Sequence, residues 1–227
     1  MRAILFDVDG TLLSCGRQVR RLFAGALEEV YGTAGELDGY DFSGKTDPRI
    51  VLDLMAAAGW EREAVLARLP AMRERYLARL EAGLEASEMR LMPAVEEVLA
   101  EVQGSGRATV GLLTGNWRQG AEVKLSRLGL GGRFPFGAFG DDGEDRDCLP
   151  PVALARAAAF TGRPCAPGEA LIVGDSLLDV ACGRAHRVPV LAVATGWTAG
   201  ERLAAAGADW VVSDLREALP LLRQLVA

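Results

Sequence analysis

The chain has 227 residues, a net charge of −6 at neutral pH and an apolar fraction of 50%. Such a composition is that of a globular chain, not a disordered one, and its acidic balance argues against nucleic acid or an anionic membrane as partner. A single histidine, His186, and four cysteines without a C-x-x-C pair nearly exclude Ser/His catalysis, multi-histidine metal sites and zinc knuckles.

In chain order, short apolar runs at residues 3–6, 109–113, 170–173, 188–194 and 210–212 predict buried strands. Each is followed by a longer segment with helical periodicity, the segments being roughly 117–128, 151–161, 177–185, 199–206 and 215–225. Strand-then-helix alternation predicts a parallel sheet with helices on both faces, an α/β Rossmann-like core. Residues 17–88 break the alternation with three helical patterns at 19–31, 47–58 and 61–84. Asp47 and Pro48 suit the N-cap and first turn of the second helix, and Gly59 its exit. The expected organisation is a core of residues 1–16 and 89–227 interrupted by a helical cap at 17–88. The thiols suggest a reducing compartment, the cytoplasm, and no segment reaches the roughly 18 apolar residues of a membrane span.

Ligands of such sheets gather at the carboxyl ends of the strands. The first strand ends in Asp7-Val8-Asp9-Gly10-Thr11. Residues i and i+2 of an extended chain point the same way, so two carboxylates face one site. Their mutual repulsion is relieved by a hard divalent cation, and oxygen ligands of this kind suit Mg²⁺. The second predicted strand ends in Thr114-Gly115-Asn116, a hydroxyl beside the free N–H groups of a helix start, which makes an anion-binding corner. A later strand ends in Gly174-Asp175-Ser176, with Asp179 one helical turn on.

Taken together, these three segments resemble the haloacid dehalogenase-like hydrolase superfamily, in particular its capped phosphoglycolate-phosphatase and phosphonatase-like branches. The resemblance spans nearly the whole chain and implies roles for individual residues. Asp7 would be the nucleophile that forms an aspartyl-phosphate, and Asp9 the general acid and then base. Mg²⁺ would be bound by Asp7, the Asp9 backbone carbonyl and Asp175, with Ser176 and Asp179 supporting it from behind. Thr114, Gly115 and Asn116 would hold phosphate oxygens. A carboxylate at Asp9 favours phosphate esters over carbon–halogen or carbon–phosphorus bonds. The implied substrate is a small phosphorylated metabolite, phosphoglycolate first among them. A phosphomutase shares every core motif and is the alternative.

The family carries a lysine ahead of its last acidic motif, whereas here residues 141–150 contain none. Lys45 and Lys124 are the only lysines among 25 basic residues. Lys124 is expected on the solvent side of its helix, so the charge-neutralising role falls to Arg146, which remains charged and can bind phosphate bidentately. Residues 39–46 match the P-loop spacing G-x-x-x-x-G-K-T, which raises a nucleotide triphosphatase as rival. No buried strand precedes them, and that context argues against it. Lys45 and Thr46 are instead expected on a cap loop facing the core, where they could contact substrate. A non-enzymatic binding protein would have no need for all four aspartates.

Overall fold

The computed structural model describes residues 2–226; Met1 and Ala227, the outer bounds of the expected core, lie outside the described residues. Six strands form one parallel sheet: β1 (Arg2–Phe6), β4 (Ala108–Leu113), β5 (Gly137–Ala138), β6 (Ala170–Gly174), β7 (Val190–Val193) and β8 (Trp210–Val212). Their order across the sheet is β5-β4-β1-β6-β7-β8, which puts β1 in the interior with Ile4 opposite both Val110 and Leu171.

Near-continuous apolar runs form these strands because both faces of the sheet are covered. Along β1 the side chains alternate. Ile4 and Phe6 enter one apolar cluster, with α4 (Val95–Gly104), α5 (Arg118–Arg127) and α9 (Leu215–Val226). Ala3 and Leu5 enter the other, with α6 (Leu149–Thr161) and α7 (Leu177–His186). Each fully buried Ile, Leu or Val contributes roughly 1.5–3 kcal/mol by leaving water. A charge at Ile4 would break the sheet at its centre, since that side chain is fully enclosed. The helix α8 (Gly200–Ala205) sits between β7 and β8 in the chain.

A two-stranded antiparallel ribbon, β2 (Leu13–Ser14) with β3 (Arg90–Leu91), brings together the two ends of the segment that interrupts the alternation. Between them run α1 (Gln18–Tyr31), α2 (Asp47–Ala57) and α3 (Arg62–Gly83). Gly32 closes α1 in the left-handed conformation, with its N–H on the Glu28 carbonyl. The helix α1 buries Leu22, Phe23, Ala26 and Leu27 and packs mainly on α3. The ribbon and β5 were not expected from the sequence, because two-residue strands carry no periodicity to read.

The N-terminus of α2 docks on the tip of β4. Thr46, not Asp47, is the N-cap: its hydroxyl accepts from the Arg49 N–H at 3.2 Å, and Asp47 and Pro48 occupy the first turn. Asp47 donates its N–H to the Gly115 carbonyl at 2.7 Å, and its carboxylate accepts the Trp117 N–H at 2.7 Å. Such an approach needs glycine at 115, where a methyl group would overlap the Lys45 carbonyl oxygen. Among the described residues no helix is long and apolar enough to cross a membrane.

Candidate active site

The carboxyl ends of β1, β4 and β6 converge at the centre of the sheet. After Phe6 the chain leaves β1 through a tight turn in which Leu12 and Leu13 return N–H bonds to the Val8 carbonyl. Gly10 makes this turn with φ +88°, a backbone that a side chain would strain. A Cβ at Gly10 would also press into the Asp175 carboxylate.

Asp7 is buried beside Arg146, whose Nη2 lies 3.3 Å from Asp7 Oδ1. The same nitrogen pairs with Asp179 Oδ1 and reaches the Leu113 carbonyl at 3.0 Å, and Nη1 reaches the Gly44 carbonyl at 3.1 Å. The Arg146 Nε is buried with no hydrogen-bond partner among the described residues. Burial works against the charge on Arg146, but Asp179 and Asp7 outweigh it and hold the guanidinium protonated. Arg146 thus sits against the Asp7 carboxylate from a short 3-10 turn just ahead of α6.

One carboxylate oxygen each from Asp7, Asp175 and Asp179 lie within 4.8 Å of one another, all three buried. Thr11 donates to Asp175 Oδ1 at 2.9 Å. Ser176 caps α7, and Asp179 Oδ2 accepts from the Ser176 N–H and hydroxyl at 3.0 and 2.7 Å. Burial pushes the Asp7 carboxyl up to about 6, against the pull of Arg146, with Asp179 and Asp9 adding to the rise. Burial also raises Asp175 well above the carboxylate range, reinforced by Asp7 and Asp179. Three crowded, dehydrated carboxylates with one arginine between them carry uncompensated charge. Their hard oxygen donors fit a divalent cation.

Asp9 lies on the other side of the tip, and its side chain is 40% exposed. Its Oδ2 accepts from Asn116 Nδ2 at 2.8 Å and from Lys124 Nζ at 2.7 Å. Asn116 Nδ2 also donates to Thr114 Oγ1 at 2.8 Å. Thr114 is fully buried at the end of β4, and Gly115 follows it against Lys45 and Thr46 at the start of α2.

The expectation of a solvent-facing Lys124 is corrected. Its side chain is 2% exposed, because α3 covers the face of α5 that periodicity alone assigns to water: Leu77 and Leu80 lie over Gly120. The readable signal was spacing, since Lys124 falls seven residues after Trp117, two turns along the face that starts at the strand tip. Lys45 and Thr46, on the loop that leads into α2, have partners within the protein. Lys45 Nζ contacts the Tyr40 hydroxyl at 2.7 Å and Asp53 at 3.2 Å, and the Thr46 hydroxyl is committed to the Glu144 carbonyl and its helix cap. The P-loop rival fails here, for residues 39–46 follow no strand. His186 ends α7 with its ring on the Asp147 carbonyl. Asp47 and Tyr76 also lie buried near the Lys124–Asp9 pair; sequence reading took Asp47 only as a helix cap and did not single out Tyr76.

Fold and site together define an α/β protein with a carboxylate centre at the tips of a parallel sheet. A family model of haloacid dehalogenase-like hydrolase matches residues 4–184, and the chain belongs to that family. It is 29% identical to a phosphoglycolate phosphatase of Synechococcus elongatus, covering 100% of this chain and 99% of that one. It is 30% identical to a plasmid-encoded phosphoglycolate phosphatase of Cupriavidus necator, over 97% of this chain and 92% of the relative. The crystal structure of a predicted phosphatase from Clostridium acetobutylicum shares the fold with a TM-score of 0.75, at 18% identity over 98% of each chain.

Proposed function

We propose that the chain is a Mg²⁺-dependent phosphatase of small phosphorylated metabolites, with phosphoglycolate the leading substrate. The observation that carries this reading is the division of labour between Asp7 and Asp9. Asp7 is buried against Arg146 in the triple-aspartate cluster, while Asp9, two residues on, is half open to solvent. A nucleophile and an acid–base group need just these different surroundings. The names of the two relatives support the substrate class.

Asp7, Asp175 and the Asp9 backbone carbonyl would hold Mg²⁺, supported by Ser176 and Asp179. Bound there, the cation would offset the repulsion between a carboxylate nucleophile and a phosphate dianion. An Asp7 oxygen attacks phosphorus as the ester P–O bond breaks, and Asp9 gives its proton to the departing alkoxide. Asp9 then takes a proton from water as the water oxygen attacks the aspartyl-phosphate and frees Asp7. Arg146, Thr114 and the N–H groups of Gly115 and Asn116 bind the phosphoryl oxygens, and the unpartnered Nε of Arg146 is a donor kept for this use. Residues 17–88 act as a cap that closes over the substrate and excludes water, with Lys45 and Thr46 on its inner loop. Four free cysteines support a cytoplasmic enzyme.

The test is a phosphate-release screen over a metabolite panel with Mg²⁺, using wild type and Asp7→Asn. Release from phosphoglycolate, lost in the variant, supports the reading. Isomerised sugar phosphate in place of free phosphate favours the mutase alternative.

A further inference from the structure

We propose that Lys124 is a positioning residue for Asp9, holding one carboxylate oxygen so that the other carries the catalytic proton. The inference rests on the phosphatase reading above and specifies how its acid–base group is aimed.

Lys124, Asp9 and Asn116 form a closed ring. The ammonium lies 2.7 Å from Asp9 Oδ2 and 2.6 Å from Asn116 Oδ1, and the Asn116 amide nitrogen returns to Asp9 Oδ2 at 2.8 Å. Thr114 anchors the ring to β4 through the same amide nitrogen at 2.8 Å. Asp9 Oδ2 therefore accepts two strong donors, one of them charged. By contrast, no N–H or O–H of the described residues donates to Asp9 Oδ1, and the other hydrogen-bonding neighbour of this carboxylate is the buried Cys15 thiol, a weak donor. The side chain as a whole is 40% exposed, whereas Lys124 is 2% exposed. The oxygen that is free to exchange a proton with a leaving group or water is Oδ1.

Placing a lysine here is costly unless its charge is matched, because a buried unpaired ammonium is strongly disfavoured. Burial works against the charge, and Asp9 outweighs it, so Lys124 stays protonated. The choice of lysine is itself informative in a chain where 23 of 25 basic residues are arginine. A compact ammonium can donate to Asp9 and Asn116 at once in a closed space, where the planar fork of arginine would need more room. The site thus separates its two cations: Arg146 faces Asp7, and Lys124 faces Asp9.

A misaimed acid matters most when the leaving group needs a proton. An alkoxide does; a nitrophenolate leaves without one. The experiment measures kcat/KM, which reports the steps up to loss of the leaving group, for phosphoglycolate and for 4-nitrophenyl phosphate. The variants are Lys124→Met and Lys124→Gln, the latter keeping a neutral donor toward Asp9. We expect Lys124→Met to lose about 100-fold or more on the alkyl ester, within the usual range for general acid catalysis, and less than about 5-fold on the aryl ester. Lys124→Gln should show the same split at smaller size, and it carries the test if the methionine variant does not fold. Equal losses on both substrates, or none, overturn the proposal. If wild type matches Asp7→Asn on both substrates, the phosphatase reading itself falls and this inference falls with it.

Discussion

Arg146 touches both sides of the carboxylate cluster and the Gly44 carbonyl, so its removal has two effects at once. Arg146→Ala leaves Asp7 and Asp179 facing each other without a counter-charge, and breaking a buried pair of this kind costs about 3–5 kcal/mol. Turnover should fall on the order of 10²–10³-fold, as for loss of one preorganised donor to the reacting phosphoryl group. Steady-state kinetics and a melting curve check the two effects, and activity within a few-fold of wild type would sink the assignment. Asp47 makes a different prediction. Burial lifts its carboxyl to about 7, opposed by Lys124 and the Trp117 N–H and reinforced by Asp9 and Asp141. The folded protein therefore holds a proton there that the unfolded chain releases near 3.8. That contribution to stability is whole below about pH 4 and is lost as pH rises through 7. Asp47→Asn removes the loss, so its stability relative to wild type should improve between pH 4 and 8 by at most on the order of 4 kcal/mol. Denaturant unfolding at several pH values measures this directly.

The contact between α2 and the tip of β4 is close enough to be tested with single methyl groups. Gly115→Ala would force the Lys45 carbonyl away and move the first turn of α2, an overpacking cost of about 1–3 kcal/mol. We expect a lower melting temperature and at least a 10-fold lower kcat/KM. Gly104→Ala is the control: it closes α4 over open space and should be neutral or stabilising by up to about 1 kcal/mol. A common loss in both variants would show that the effect does not come from the docking contact. This interface also marks where sequence reasoning stops. The five longer strands of the sheet and their helices were legible because apolar runs and helical periodicity are local. Asp7, Thr114 and Asp175 were legible because strand tips are where such sheets place ligands. Arg146 was singled out only through the family resemblance, as the residue standing in for the family's lysine, and the structure places it against Asp7. Lys124 was misplaced because nothing local says that α3 will lie across α5, and the two-residue strands of the ribbon have no signature at all.

For the molecule as a whole, the triple-aspartate cluster predicts a link between metal and stability. Without a cation the Asp7 and Asp175 carboxyls favour protons, so Mg²⁺ and acid compete for the same oxygens. Millimolar Mg²⁺ should raise the melting temperature at pH 7.5 by several degrees, at about 2–4 °C for each kcal/mol of binding energy. The shift should shrink at pH 5 and vanish in Asp175→Asn; an unchanged melting temperature at pH 7.5 would remove the cluster as a metal centre. The strand order carries a consequence for how the protein is made. β1 leaves the ribosome before every other strand of this sheet, yet its two neighbours are β4 and β6. Its ladder toward β6 cannot close until synthesis has passed Gly174, more than three quarters of the way along the chain. The helices α1 to α3 need no such wait, since α1 packs on α3 within one continuous stretch. The nascent chain therefore has its interrupting segment able to form early, while the strand that bears Asp7 stays unpaired on that side until the strand that bears Asp175 arrives.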